Sequence, residues 1–166
     1  MTRLAIPAFV GLLLAGLGGC DDMTQSRPAP DFDLPLLGAP AEGLALSSLR
    51  GTVVYLDVWA SWCHPCLEAM PGLNRLRNAR AAEGFEILAV NIDAEPQDAV
   101  DTLARIAVDY PVVSDPESWI LAEYGIDGVP TGFLIDRRGQ IRHTVRGFRP
   151  NELSDIERRI GVLLRE

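Results

Sequence analysis

The 166-residue chain contains no lysine, and all fifteen of its basic residues are arginine. A lysine partner is therefore excluded for any buried acid. Basic residues are outnumbered by 23 acidic ones, giving a formal net charge of -8, and a surface of that sign repels nucleic acid. Histidine is scarce as well. A tetrahedral metal site of four N or S ligands would need both His64 and His143 together with Cys63 and Cys66, once the isolated Cys20 is set aside. Three cysteines are an odd number, which excludes a scheme built only of paired structural disulfides. No internal repeat or low-complexity tract is present. What the chain does have is 48% hydrophobic and 23% charged residues, the composition of a globular protein with a real core. Its length suits one domain with a short N-terminal extension.

The extension begins with Arg3, continues as an apolar stretch from Leu4 to Leu17 interrupted only by Pro7, and ends in Gly18 and Gly19. Charge, apolar core and small residues in that order form a secretory signal, assigned here to residues 1–19. Asp21 and Asp22 close the run below the roughly 20 apolar residues of a spanning helix. Leu17-Gly18-Gly19-Cys20 resembles the bacterial lipobox, in which cleavage precedes the cysteine and the cysteine carries the lipid. Acyl chains on Cys20 would hold the protein to a membrane, and Asp21 resembles the enteric signal for retention at the inner membrane. The alternatives are an ordinary cleaved signal and a permanent membrane span. Residues 20–30, polar with Pro28 and Pro30, read as a tether.

The remaining residues, 31–166, carry alternating patterns. Phe32 to Leu46, broken by Gly38-Ala39-Pro40, reads as a hairpin, followed by a helical turn that Ser47 or Ser48 can cap. Val53 to Trp59 and Phe85 to Ile92 are apolar β-prone runs of the kind found in strands covered on both faces. Asp57 is the one exception in the first. Leu67, Met70, Leu73, Leu76 and Ala79 recur at helical spacing, with a kink expected at Pro71. Val100 to Ala107 reads as a helix and Val112-Val113 as a strand. A helix is expected to start at Asp115-Pro116 and end at Gly125. Thr131 to Asp136 and Ile141 to Val145 flank a turn at Gly139, and Leu153, Ile156, Ile160 and Leu163 mark a last amphipathic helix. The order implies an α/β fold with a mixed central sheet flanked by helices.

Between the first buried strand and its helix stands Trp62-Cys63-His64-Pro65-Cys66. Two cysteines separated by two residues at such a junction can form a reversible disulfide, and the helix N-terminus stabilises the thiolate of the first. Cys63 is thus the expected nucleophile, and Cys66, one turn into the helix, the more buried resolving thiol.

From Asp31 onward the chain resembles the TlpA/ResA/DsbE-like branch of the thioredoxin superfamily. The resemblance rests on Asp57-Val58-Trp59-Ala60-Ser61-Trp62-Cys63-His64-Pro65-Cys66, on Met70-Pro71, on Val90-Asn91-Ile92-Asp93 and on Gly128-Val129-Pro130-Thr131-Gly132-Phe133. It implies a thioredoxin fold with an N-terminal β-hairpin and a central βα insertion near residues 94–115. It implies thiol:disulfide exchange with no cofactor, on the periplasmic face of the inner membrane. Asp57 matches the buried acid of thioredoxin, whose pKa burial should raise, and would exchange a proton with Cys66. Val129-Pro130 resembles the cis-proline loop that leaves the Val129 backbone free to pair with substrate, with Trp62 bordering the same site. His64 and Pro65 would tune the couple in opposite directions. The family's frequent glutamate three residues after the second cysteine is replaced by Ala69, with Glu68 beside it. Gly132 stands where the family commonly has threonine.

The partners implied are protein disulfides such as those of apocytochrome c or copper-site assembly proteins, and a DsbD/CcdA-like membrane electron donor. Four other readings remain: a copper- or metal-binding chaperone of the same fold, a disulfide-forming oxidant, a peroxidase, and an inert structural disulfide. The peroxidase reading conflicts with Ala60 at the position of a threonine. The last conflicts with the short loop such a bridge would close.

Overall fold

The apolar runs become a sheet. In the computed structural model, which describes residues 26–149 and 151–166, the elements are β1 (Arg27–Pro28), β2 (Asp33–Leu36), β3 (Ala39–Ala45), β4 (Val53–Trp59), α1 (His64–Arg80), β5 (Phe85–Asn91), α2 (Pro96–Leu103), β6 (Val112–Ser114), α3 (Trp119–Tyr124), β7 (Thr131–Ile135), β8 (Gln140–Arg146) and α4 (Glu152–Leu163). The proposed signal peptide and Cys20 lie outside the described residues. Eight strands form one mixed sheet in the order β1-β8-β7-β4-β5-β6-β2-β3. β5 runs parallel to both β4 and β6, and the other pairs are antiparallel. Every residue of β4 is buried, as are all but one of β5, so these two strands could be read from continuous apolar runs where the edge strands could not.

This register brings the chemistry to one end of the sheet. β4 and β5 are aligned from Val53↔Phe85 to Trp59↔Asn91, and β7 returns antiparallel beside β4 with Val58 opposite Thr131. The chain leaving β4 towards Cys63, the chain leaving β5 at Ile92-Asp93 and the chain entering β7 at Val129-Pro130 therefore meet above the same edge. The hairpin of β2 and β3 and the insertion of α2 and β6 are where the resemblance places them, β2 joining the sheet through Leu36↔Val113. In the β7–β8 turn, Gly139 has φ 79°, a left-handed conformation that glycine adopts without a Cβ clash.

Several local expectations change. Arg27 and Pro28, read as tether, pair with Ile141 and Gln140 of β8. The Arg27 guanidinium donates to the Tyr124 carbonyl and the Tyr124 hydroxyl to that of Pro30 at 2.5 Å, so the domain begins before Asp31. The turn at Leu46–Leu49 has no serine cap. The Asp31 carboxylate instead receives the Ser47 N–H at 2.9 Å, and the Ser48 hydroxyl donates back to Ala45. α3 starts at Trp119, after Ser118 at φ 55° has interrupted the turn from Asp115. Asp115 still serves the helix, accepting from the Ile120 N–H at 2.9 Å across that turn. α1 continues through Pro71 as a single helix, although proline has no N–H to bond the carbonyl four residues back.

Candidate active site

Cys63 is the residue that turns strand into helix. After β4 the chain closes a tight turn, with the Cys63 N–H donating to the Ala60 carbonyl at 3.1 Å. Cys63 then adopts extended backbone (φ -88°, ψ 91°) as the N-cap of α1, with Pro65 in the first turn, where its missing N–H costs nothing. Its sulfur accepts the Cys66 N–H at 3.3 Å, a donor it shares with the Cys63 backbone carbonyl at 3.0 Å. The same sulfur is bonded to Cys66 with the Cα atoms 5.3 Å apart. When that bond opens, a thiolate on Cys63 sits at the positive end of α1 with an N–H directed at it, an arrangement that favours the anion. Cys63 is 5% exposed and Cys66 1%.

Two buried aspartates stand near this junction and differ in their surroundings. Asp57, the third-last residue of β4, is buried, and burial alone pushes its carboxyl up to about 7. Among the described residues no arginine offsets that cost. Asp93, just past β5, is also buried, but it accepts the Ser61 N–H on both oxygens (3.1 and 3.0 Å), the Ser61 hydroxyl at 3.1 Å and the Asn91 side-chain amide at 2.8 Å. The Asn91 side-chain carbonyl in turn takes the Asp93 N–H. This network ties down the turn two residues before Cys63. The sequence singled out Asn91-Ile92-Asp93 as a motif without assigning it a role; two polar residues closing an apolar strand were the available signal.

The other candidate residues divide between the junction and the solvent. The Val129-Pro130 peptide bond is cis, and Pro130 precedes Thr131, whose hydroxyl donates to the Gly128 carbonyl at 2.7 Å. The Pro130 carbonyl is taken by the Gly147 N–H. Trp62 is 70% exposed beside the disulfide. His64 points outward, its Nε2 3.2 Å from Glu68 across one helical turn, so the residue next to Ala69 is an acid facing solvent while Ala69 itself is buried. His143 lies on β8, away from the cysteines in the chain's order. Among the described residues no three His, Cys, Asp or Glu side chains come close enough to hold a metal. Nor is any helix among them long and apolar enough to cross a membrane.

A mixed sheet with flanking helices, and a disulfide whose first sulfur caps the helix that follows the central strand, define a thiol:disulfide oxidoreductase of thioredoxin-like fold. The Redoxin family model matches residues 24–160, and the chain belongs to that family. Thiol-disulfide oxidoreductase ResA of Geobacillus kaustophilus is 38% identical over 133 residues, 80% of this chain and 74% of the relative. Thiol:disulfide interchange protein DsbE of Xylella fastidiosa is 34% identical over 122 residues, 73% of this chain and 60% of the relative. Among solved structures, a candidate thiol:disulfide interchange protein DsbE from Chlorobium tepidum superposes with a TM-score of 0.80 at 40% identity, covering 84% of this chain and 96% of the other.

Proposed function

We propose that the protein is an extracytoplasmic reductase of protein disulfides, held to the periplasmic face of the inner membrane by a lipid on Cys20. The observation that carries the reading is that Cys63 is at once the N-cap of α1 and one half of the disulfide, with the Cys66 N–H aimed at its sulfur. In the reduced protein the Cys63 thiolate attacks a substrate disulfide and expels one substrate thiolate. Asp57 accepts the Cys66 proton, the Cys66 sulfur attacks Cys63, and the second substrate thiolate leaves. Two electrons pass from the protein to the substrate, and the Cys63–Cys66 bond closes. The backbone of Val129 pairs with an extended substrate segment, and the exposed face of Trp62 packs against it. Names borne by relatives, ResA and DsbE, support the class. Apocytochrome c or a copper-site assembly protein as substrate, and a DsbD/CcdA-like protein as electron donor, fit a reductant working in oxidising surroundings.

The direction is tested by equilibrating the full chain against glutathione and dithiothreitol couples. A reductase is expected near the roughly -270 mV of thioredoxin, and a value near about -120 mV would make it an oxidant instead. Cys66→Ser leaves the mixed disulfide on Cys63 unresolved and should retain the substrate covalently; with Cys63→Ser in its place, no adduct is expected.

A further inference from the structure

Two buried tyrosines near Asp57 are not used by the exchange described so far. Tyr55 is two residues earlier on β4, so its side chain leaves the same face of the strand, and it is buried. Across the β4–β7 ladder Asp57 stands opposite Gly132. A Cβ placed on Gly132 would fall 2.0 Å from the Tyr55 hydroxyl oxygen. Directly opposed residues of an antiparallel pair have Cβ positions about 4.5–5.5 Å apart. The Tyr55 hydroxyl therefore fills the side-chain space beside Asp57 that any residue other than glycine at position 132 would occupy.

Tyr110 belongs to the segment that leads into β6; the carbonyl of the next residue, Pro111, takes the N–H of Ala89, which stands opposite Asp57 on β5. Tyr110 too is buried, and among the described residues its hydroxyl is a buried polar atom without a hydrogen-bond partner. A hydroxyl left so has an unmet need for an acceptor. The Asp57 charge reaches both tyrosines, adding to burial in pushing their hydroxyls upward, so both stay protonated donors while the carboxyl titrates. The elements around them bring little else that titrates. α1 contributes the cysteines, and α4 contributes Glu152, which acts on Tyr55. β5 and β7 present Ala89 and Gly132 opposite Asp57.

We propose that Tyr55 and Tyr110 are positioning residues for Asp57, two neutral donors whose hydroxyls turn to its oxygens when the carboxyl ionises, holding the charge that takes the Cys66 proton. The inference rests on the reading of Asp57 as that acceptor. In the step concerned the Cys66 S–H gives its proton to the carboxylate, the S–S bond between Cys66 and Cys63 forms, and the bond between Cys63 and the substrate sulfur breaks. The electron pair leaves on the substrate thiolate, and the tyrosines keep their own protons throughout.

Tyr55→Phe and Tyr110→Phe delete the hydroxyls and keep the rings. In the oxidised full chain the Asp57 carboxyl can be titrated by its infrared carbonyl band, with Asp57→Asn as the blank. Each single variant is expected to raise the midpoint by about one pH unit, a tenfold change in the ionisation constant, and the double variant by more. The pH dependence of mixed-disulfide resolution, followed with oxidised glutathione as substrate, should move up by the same amount. An unmoved or lowered midpoint in the double variant overturns the proposal, as does lost thermal stability with the midpoint unchanged. If Asp57→Asn leaves the pH dependence of resolution intact, the acceptor reading itself fails, and this inference with it. If that dependence disappears in Asp57→Asn yet stays in place in the double tyrosine variant, only the tyrosine assignment is lost.

Discussion

Asp57 on β4 and Asp93 just past β5 are both buried acids, six and thirty residues from Cys63 in sequence, and they have opposite relations to their surroundings. Asp93 is saturated: a backbone N–H, a hydroxyl and a side-chain amide converge on its two oxygens. Asp57 sits in an apolar strand where burial is the dominant influence on it. The saturated carboxylate is built to stay as it is and to fix the turn before the nucleophile. The carboxyl without those partners is left free to change its protonation, and burial has placed that change near neutral pH. The comparison separates a residue that holds geometry from one that moves a proton, although a count of buried acids would treat them alike.

The largest effect should come from removing the buried Asp57 charge. An unfolded chain releases the Asp57 proton near 3.8 and the folded one near 7. Between those values the folded state binds more protons, so stability falls as pH rises through the window and stays reduced above it. The penalty reaches about 4 kcal/mol at most, at roughly 1.4 kcal/mol per pH unit. Asp57→Asn is therefore expected to stabilise the oxidised protein by up to about that amount at pH 8 and by little at pH 4, measured by denaturant unfolding at both. Equal stabilisation at the two pH values would remove proton linkage from the account of Asp57.

Asp93→Ala should act with the opposite sign. It strips the acceptor from the Ser61 N–H and hydroxyl and from the Asn91 amide, and buried donors left unpaired cost about 1–3 kcal/mol. A loss of about 2–3 kcal/mol in the same unfolding experiment, with slower attack by Cys63 on a disulfide peptide, would confirm that the network orders the turn. A stability unchanged within about 0.5 kcal/mol would show the turn to be held by the Cys63–Ala60 hydrogen bond alone.

The contrast between the two aspartates also explains what the sequence could show. Asp57 was visible because it interrupts an apolar run, and Cys63 and Cys66 because their partnership spans three residues at a helix start. β4 and β5 were readable for the same local reason. Asp93 stood out as part of a motif but its role did not, since its partner Ser61 lies 32 residues away and nothing in a one-dimensional pattern links them. β1 was missed because Arg27 and Pro28 are polar and turn-like on their own and become strand only through β8. The start of α3 was misplaced because Asp115 caps from outside the helix. Regular periodicity along the chain was legible, and interactions made across the sheet were not.

The smallest effect belongs to the charged neighbour that sequence alone ranks first as a tuner. His64 follows Cys63 directly, yet its imidazole points to solvent and meets Glu68 at 3.2 Å, with the two side chains 83% and 60% exposed. An ion pair so placed is screened by water and adds little. Any positive charge on the imidazole is also balanced by the carboxylate before it can act on the sulfur. His64→Ala is expected to move the reduction potential of the Cys63/Cys66 couple by less than about 15 mV, half of the 30 mV that corresponds to about 1.4 kcal/mol. Glu68→Gln sharpens the test by removing the balancing charge: if the imidazole acts on Cys63 at all, the potential should then rise. A large shift in His64→Ala with Glu68 intact would mean that the helix start alone does not set the thiolate, and that the exposed imidazole shares the task.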